Sequence, residues 1–125
     1  MKEVFLIFVG GGLGSVARYG LGRWLNAGHQ YAFPLGTFTA NVLACLMLGL
    51  VIGLAEHKLL VSPATRLFWA VGFCGGFSTF STFSYENLLM LQTDQSALLF
   101  GYLLLSLVFC LTAVFGGQLL ATRFF

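Results

Sequence analysis

The chain has 125 residues, 58% of them hydrophobic and only 8% charged. A soluble domain carries roughly a quarter charged residues, so this surface cannot be kept in water and the chain reads as a single integral membrane domain. The formal net charge of +2 is scattered along the chain, which is too little for a nucleic-acid footprint and excludes nucleic acid as a partner.

The first apolar run spans about 4–24 and holds GGGLGSVARYG. Each run here has about 20–25 residues, enough to cross a hydrocarbon core of about 30 Å as a helix. Gly10 and Gly14 stand in GxxxG spacing, which lets helices approach closely in lipid. Arg18 is the most deeply placed cation of the chain; it either attracts anions at a vestibule or serves a structural contact. No small-residue cleavage site follows a short apolar core, so no removable signal peptide is expected. The connector NAGHQYAFP leads to the second run, 36–55, with Pro34 at its start. Inside it Thr37 and Asn41 share a face one turn apart, and Gly49/Gly53 repeat the small-residue spacing. An amide at this depth offers two donors and an acceptor, as interhelical glue or as a ligand in a pathway.

The connector EHKLLVSPAT carries a helix-start signal, Ser62 as cap before Pro63. The third run, 67–91, contains Gly72/Gly76 and then CGGFSTFSTFSYE, where Phe77, Phe80 and Phe83 recur every third residue. At 100° per residue this triplet drifts about 60° per step, so the phenyl rings fan across one face and hydroxyls fill the neighbouring sectors. No face is purely lipid-like. The Gly75-Gly76 pair weakens the helix by roughly 1 kcal/mol per glycine, and Ser and Thr can satisfy backbone groups freed by a break. An interruption near residues 75–80 is therefore expected, with Ser78, Thr79, Ser81 and Thr82 around it and freed carbonyls available to a cation. The competing reading is a continuous helix whose hydroxyls bond back to the preceding turn. Glu86 is the only acid within a span; pairing with arginine, acting on an ion and capping a break are all open to it. After QTDQ, the fourth run, 97–121, places Tyr102, Ser106 and Cys110 at i, i+4, i+8 as one polar stripe.

The expected fold is thus all-α, a four-helix transmembrane domain over residues 1–125. Cys45, Cys74 and Cys110 lack metal-ligand spacing and read as packing residues. His29 and His57 sit alone in connectors, so neither is a catalytic candidate. No nucleophile–base pair or paired carboxylates appear, and an enzyme is not expected. The Lys/Arg asymmetry between the two sides is weak, which lets a chain insert both ways. Four short helices do not easily enclose a pathway alone, and a two-fold homodimer is the simplest remedy.

Three motifs in order, GGGLGSVARY at 10–19, GTFTAN at 36–41 and GFCGGFSTFSTFSYE at 72–86, resemble the Fluc family of fluoride channels, also called CrcB proteins. The resemblance covers essentially the whole chain, and the triplet signature is its most specific part. It implies an antiparallel, dual-topology homodimer in the bacterial inner membrane, with two narrow pores built from both subunits. It makes Asn41 a pore-lining donor, and Phe80 and Phe83, from opposite subunits, the rings whose edges face fluoride. Tyr102 and Ser106 become a polar track, with Cys110 where another hydroxyl is expected. It also implies a structural Na⁺ held by the backbone carbonyls of Gly75 and Ser78; Ser78 is a mild departure from the threonine frequent there. Arg18, Thr79, Ser81, Thr82 and Glu86 are left with vestibule or structural roles.

Physical chemistry points the same way. Fluoride sheds its water only where donors replace it, and neutral donors with ring edges permit exit as well as entry. The role implied is passive export for detoxification. The alternatives are a small four-span proton-coupled multidrug exporter, which wants an acid in the first span where this chain has Arg18, a cation channel, and a non-transporting assembly subunit.

Overall fold

The computed structural model describes residues 1–28, 32–58 and 61–125. His29 lies outside the described residues, and so does the side chain of His57. All regular structure among them is helical: α1 (Lys2–Asn26), α2 (Leu35–Lys58), α3 (63–77), α4 (Phe80–Gln92) and α5 (Ser96–Phe124). α2 runs through His57 to Lys58, so this histidine belongs to a last helical turn and not to a connector. The helix thus continues past the apolar run through the polar residues Glu56, His57 and Lys58. Of the five helices, α1, α2 and α5 are long and apolar enough to cross a membrane. The third run is divided: α4, with 13 residues, rises about 20 Å, short of a hydrocarbon core of about 30 Å.

α3 starts as expected. Ser62 Oγ accepts from the Thr65 N–H at 3.1 Å, with Pro63 in the first helical turn, the arrangement that satisfies an orphan donor and uses proline's fixed φ. From Leu67 to Cys74 the helix widens into a π-helix, a stretch that nothing in LFWAVGFC announces. The helix closes at Phe77, and Ser78 and Thr79 are extended (φ −80, ψ 158 and φ −154, ψ 114). The interruption thus falls within 75–80, but two residues after the glycine pair. Gly75 and Gly76 stay helical.

The glycines act by close approach instead. A Cβ on Gly14 would overlap the Phe73 carbonyl, and one on Gly76 would overlap the Gly11 carbonyl. Likewise a Cβ on Gly49 would overlap the Val114 carbonyl and one on Gly117 the Leu46 carbonyl. Two helix pairs result, α1 with α3 and α2 with α5, each seamed by backbone contact where apolar side chains gain little from leaving lipid. A small core of Ala40, Ala44 and Phe77, with Ala17, Leu21 and Phe73 against it, joins the pairs. Most long apolar side chains face outward, Phe8 and Leu104 among them, as a lipid-facing surface requires. Gly49→Val should therefore force α2 and α5 apart. It is expected to lower stability by about 1–3 kcal/mol or more, the cost of overpacking, read as a lower unfolding midpoint in detergent, whereas Gly12→Ala, which meets nothing within 4 Å, should be neutral.

Candidate functional site

The helix break organises the site. The Thr79 N–H, which would close a helical turn onto the Gly75 carbonyl, donates to Asn41 Oδ1 at 2.7 Å. Asn41 Nδ2 in turn donates to the Thr79 carbonyl at 3.2 Å. One amide on α2 therefore takes both polar groups of an extended residue. Ser78 turns back, its N–H and Oγ both donating to the Cys74 carbonyl at 2.9 and 2.8 Å. Thr79 Oγ1 accepts from the Thr82 N–H at 3.2 Å and donates to Thr82 Oγ1 at 3.0 Å, so Thr79 is the N-cap that starts α4. Ser81 is exposed, with its Oγ 3.3 Å from Thr79 Oγ1. The hydroxyl-rich triplet thus satisfies backbone groups that the break frees; the helix is not continuous, although Ser78 and Ser84 do bond back to the Cys74 and Phe80 carbonyls.

Arg18 and Glu86 do not meet. Arg18 Nε donates to the Gly76 carbonyl at 3.1 Å, and Ser15 Oγ reaches the same oxygen at 3.4 Å. The arginine therefore answers an acceptor at the end of α3, which places a cation where the helix dipole favours one. It also borders an open hollow of about 620 Å³ lined by Tyr19, Arg23, Asn26, Thr37 and Thr79. Arg18→Gln removes a charged donor from that carbonyl; an unfolding free energy lower by about 1.5–3 kcal/mol is expected, read by thermal unfolding in detergent, with partial recovery in Arg18→Lys.

Glu86 ties three helices together. Its Oε1 accepts from Thr37 Oγ1 of α2 at 2.6 Å and its Oε2 from the Tyr102 hydroxyl of α5 at 2.7 Å. Tyr102 is completely buried. Around it the rings form a chain: Phe80 to Phe83 with centroids 5.7 Å apart, Phe83 to Tyr102 at 5.0 Å and Tyr102 to Phe33 at 5.2 Å. Thr37 was visible from the sequence only as a neighbour of Asn41 on one face. Phe33 was not visible at all, because a ring in a connector carries no periodic signal.

A second, mostly apolar groove of about 700 Å³ runs along α4 and α5, lined among others by Asn41, Thr79, Phe80, Phe83, Ser106 and Cys110. The structure gathers the five residues read as pathway candidates here, four lining the groove and Tyr102 behind Phe83. None of its lining residues is Lys, Arg, Asp or Glu. Ser106 Oγ is buried and has no hydrogen-bond partner, an unmet donor that costs free energy unless something binds it. The start of α4 at Phe80 brings the positive end of a helix to the same groove. Phe80 itself is 79% exposed, so the groove is open along this ring.

A family model described as CrcB-like protein, Camphor Resistance (CrcB), matches residues 5–118. The chain is 45% identical to the Fluoride-specific ion channel FluC of Gloeothece citriformis over 123 residues, 98% of this chain and 99% of that protein. It is 43% identical to the protein of the same name from Flavobacterium psychrophilum, over 97% of this chain and 98% of that one. A relative from Pyrococcus abyssi, again called Fluoride-specific ion channel FluC, is 41% identical over 98% of both chains.

Proposed function

Because the chain belongs to the CrcB-like protein family, we infer that it is a multi-pass membrane protein acting as a fluoride-specific ion channel, and not an enzyme. The observation that carries this reading is the groove in which Asn41, Ser106 and the rings of Phe80 and Phe83 line a path free of charged side chains. Fluoride is strongly hydrated, and its water is replaced by an amide, an unpartnered hydroxyl and positive ring edges. None of these holds it as tightly as a fixed cation would, so it also leaves. Movement is passive: with a cytoplasm-negative potential of about 100 mV, one anion moving outward gains about 2.3 kcal/mol. Export of fluoride for detoxification is the role. The exporter, cation-channel and assembly-subunit readings give way to this one.

The finer assembly belongs to the same proposal. The open side of the groove at Phe80 is covered by a second copy, inserted antiparallel in the bacterial inner membrane, so that two pathways form, each from both chains. The weak Lys/Arg asymmetry supports that arrangement. A structural Na⁺ fits the donor set near the break. The Gly75 carbonyl has lost the Thr79 N–H to Asn41, and space is open beside Gly75 Cα. The Gly76 carbonyl is already taken by Arg18 and Ser15. Gly75 and Ser78 then supply neutral carbonyl oxygens, two per chain, and a hard cation wants more, so the second copy supplies the rest. Bound there, the ion would supply electrostatic attraction between the chains.

The test is efflux from proteoliposomes loaded with fluoride, chloride or K⁺. Fluoride should leave orders of magnitude faster than either of the others; equal chloride efflux would sink the assignment. In the same assay Phe80→Met, which removes a ring edge, should slow fluoride about tenfold, taking an aromatic contact as about 1.5 kcal/mol.

A further inference from the structure

The reading above assigns no role to the thiols themselves, yet two of them lie on facing helices of one groove. Cys45 on α2 and Cys110 on α5 are near neighbours on the closely packed α2–α5 seam. Both line the groove, and both are partly exposed. The reason lies one turn further along each helix. Gly49 meets the Val114 backbone and Gly117 meets the Leu46 backbone so closely that neither site has room for a Cβ. Cys45 precedes Gly49 by one turn and Cys110 precedes Val114 by one turn, so side chains on this seam oppose each other at short range. Cys74 is buried and stands apart from the groove lining.

The geometry points to a two-thiolate site for a soft, linearly coordinating cation of the Cu(I) or Ag(I) class, held between Cys45 and Cys110. Thiolate sulfur selects soft metals. Zinc prefers four ligands in a tetrahedron, and no cluster of three or more His, Cys, Asp or Glu side chains is present among the described residues. A two-coordinate ion is the one that a pair of thiols satisfies. As each S–M bond forms, its S–H proton passes to solvent, and no electron changes hands. The bound ion lies at the end of the polar stripe, one turn from the Ser106 hydroxyl. It therefore stands against the groove wall.

The site requires only the two thiols, and its test does not read fluoride movement. Reduced, detergent-purified protein is mixed with silver(I) nitrate in chloride-free buffer, then passed through gel filtration in the presence of glutathione. Bound silver is counted by elemental analysis. Wild type and Cys74→Ser should each retain one silver per chain against the monothiol. Cys45→Ser and Cys110→Ser should each hold it at least about 100-fold more weakly, since the second thiol acts intramolecularly. Elution at the wild-type volume identifies folded variants, and either single variant decides the matter without the other. Retention in Cys45→Ser or Cys110→Ser equal to wild type, or loss from wild type to glutathione, overturns the site.

Discussion

Asn41→Asp should slow fluoride efflux from proteoliposomes by about 100-fold or more. The change is nearly isosteric, so packing against Thr79 survives. What is lost is the Nδ2 donor to the Thr79 carbonyl, now 3.2 Å away, while the acceptor for the Thr79 N–H, at 2.7 Å, is kept. The carbonyl is left facing an oxygen, at a cost of about 1–3 kcal/mol. A negative charge also enters a groove whose lining holds no charged side chain, where it repels the permeating anion in a medium that screens poorly. The repulsion acts on the permeating ion itself, and a barrier higher by about 2.8 kcal/mol is the equivalent of a factor of 100. The measurement is the initial rate at a fluoride electrode with the potential clamped by valinomycin and K⁺. A wild-type rate in Asn41→Asp would remove the amide from the path.

The second large effect is on α4. This helix is fastened by few groups: the Asn41–Thr79 pair, the Phe83–Tyr102 contact and Glu86, which receives one hydroxyl from α2 and one from α5. Glu86→Leu strands both hydroxyls, Tyr102 in full burial, at about 1–3 kcal/mol each. The expected result is an unfolding free energy lower by about 2–5 kcal/mol and a matching loss of efflux, because the rings of Phe80 and Phe83 ride on α4. Glu86→Gln keeps the shape and one acceptor oxygen, so its loss should be near 1 kcal/mol. Tyr102→Phe should cost less than Glu86→Leu, since Thr37 keeps its partner. If Glu86→Leu unfolds at the wild-type midpoint, the three-helix tie carries no weight.

Much of the membrane character was legible beforehand. The long apolar runs around α1, α2 and α5, the Ser62–Pro63 start and the interruption within 75–80 all follow from local composition, because each depends on residues within a few turns. The small-residue spacing at Gly10/Gly14, Gly49/Gly53 and Gly72/Gly76 marked the helix seams correctly, since only residues without bulk admit backbone contact. The resemblance to a fluoride channel family was likewise legible, because the triplet motif is contiguous in the chain.

The partners were not legible. Asn41 and Thr79 are far apart in sequence, as are Glu86 and its two hydroxyls, and no periodicity relates them. Glycine at 75 and 76 signalled a weak helix, but the break moved to Ser78 and Thr79, where Asn41 takes the Thr79 backbone and Thr79 caps α4. Arg18 could have served an anion or an acid; the end of α3 put a bare carbonyl beside it. By itself the sequence determined that the chain lives in lipid, where its helices run and where one of them must give way. Tertiary structure alone decided which polar group meets which. In a membrane a buried donor has no water to fall back on, so the pairing is set by whichever acceptor the close packing of the helices brings within reach.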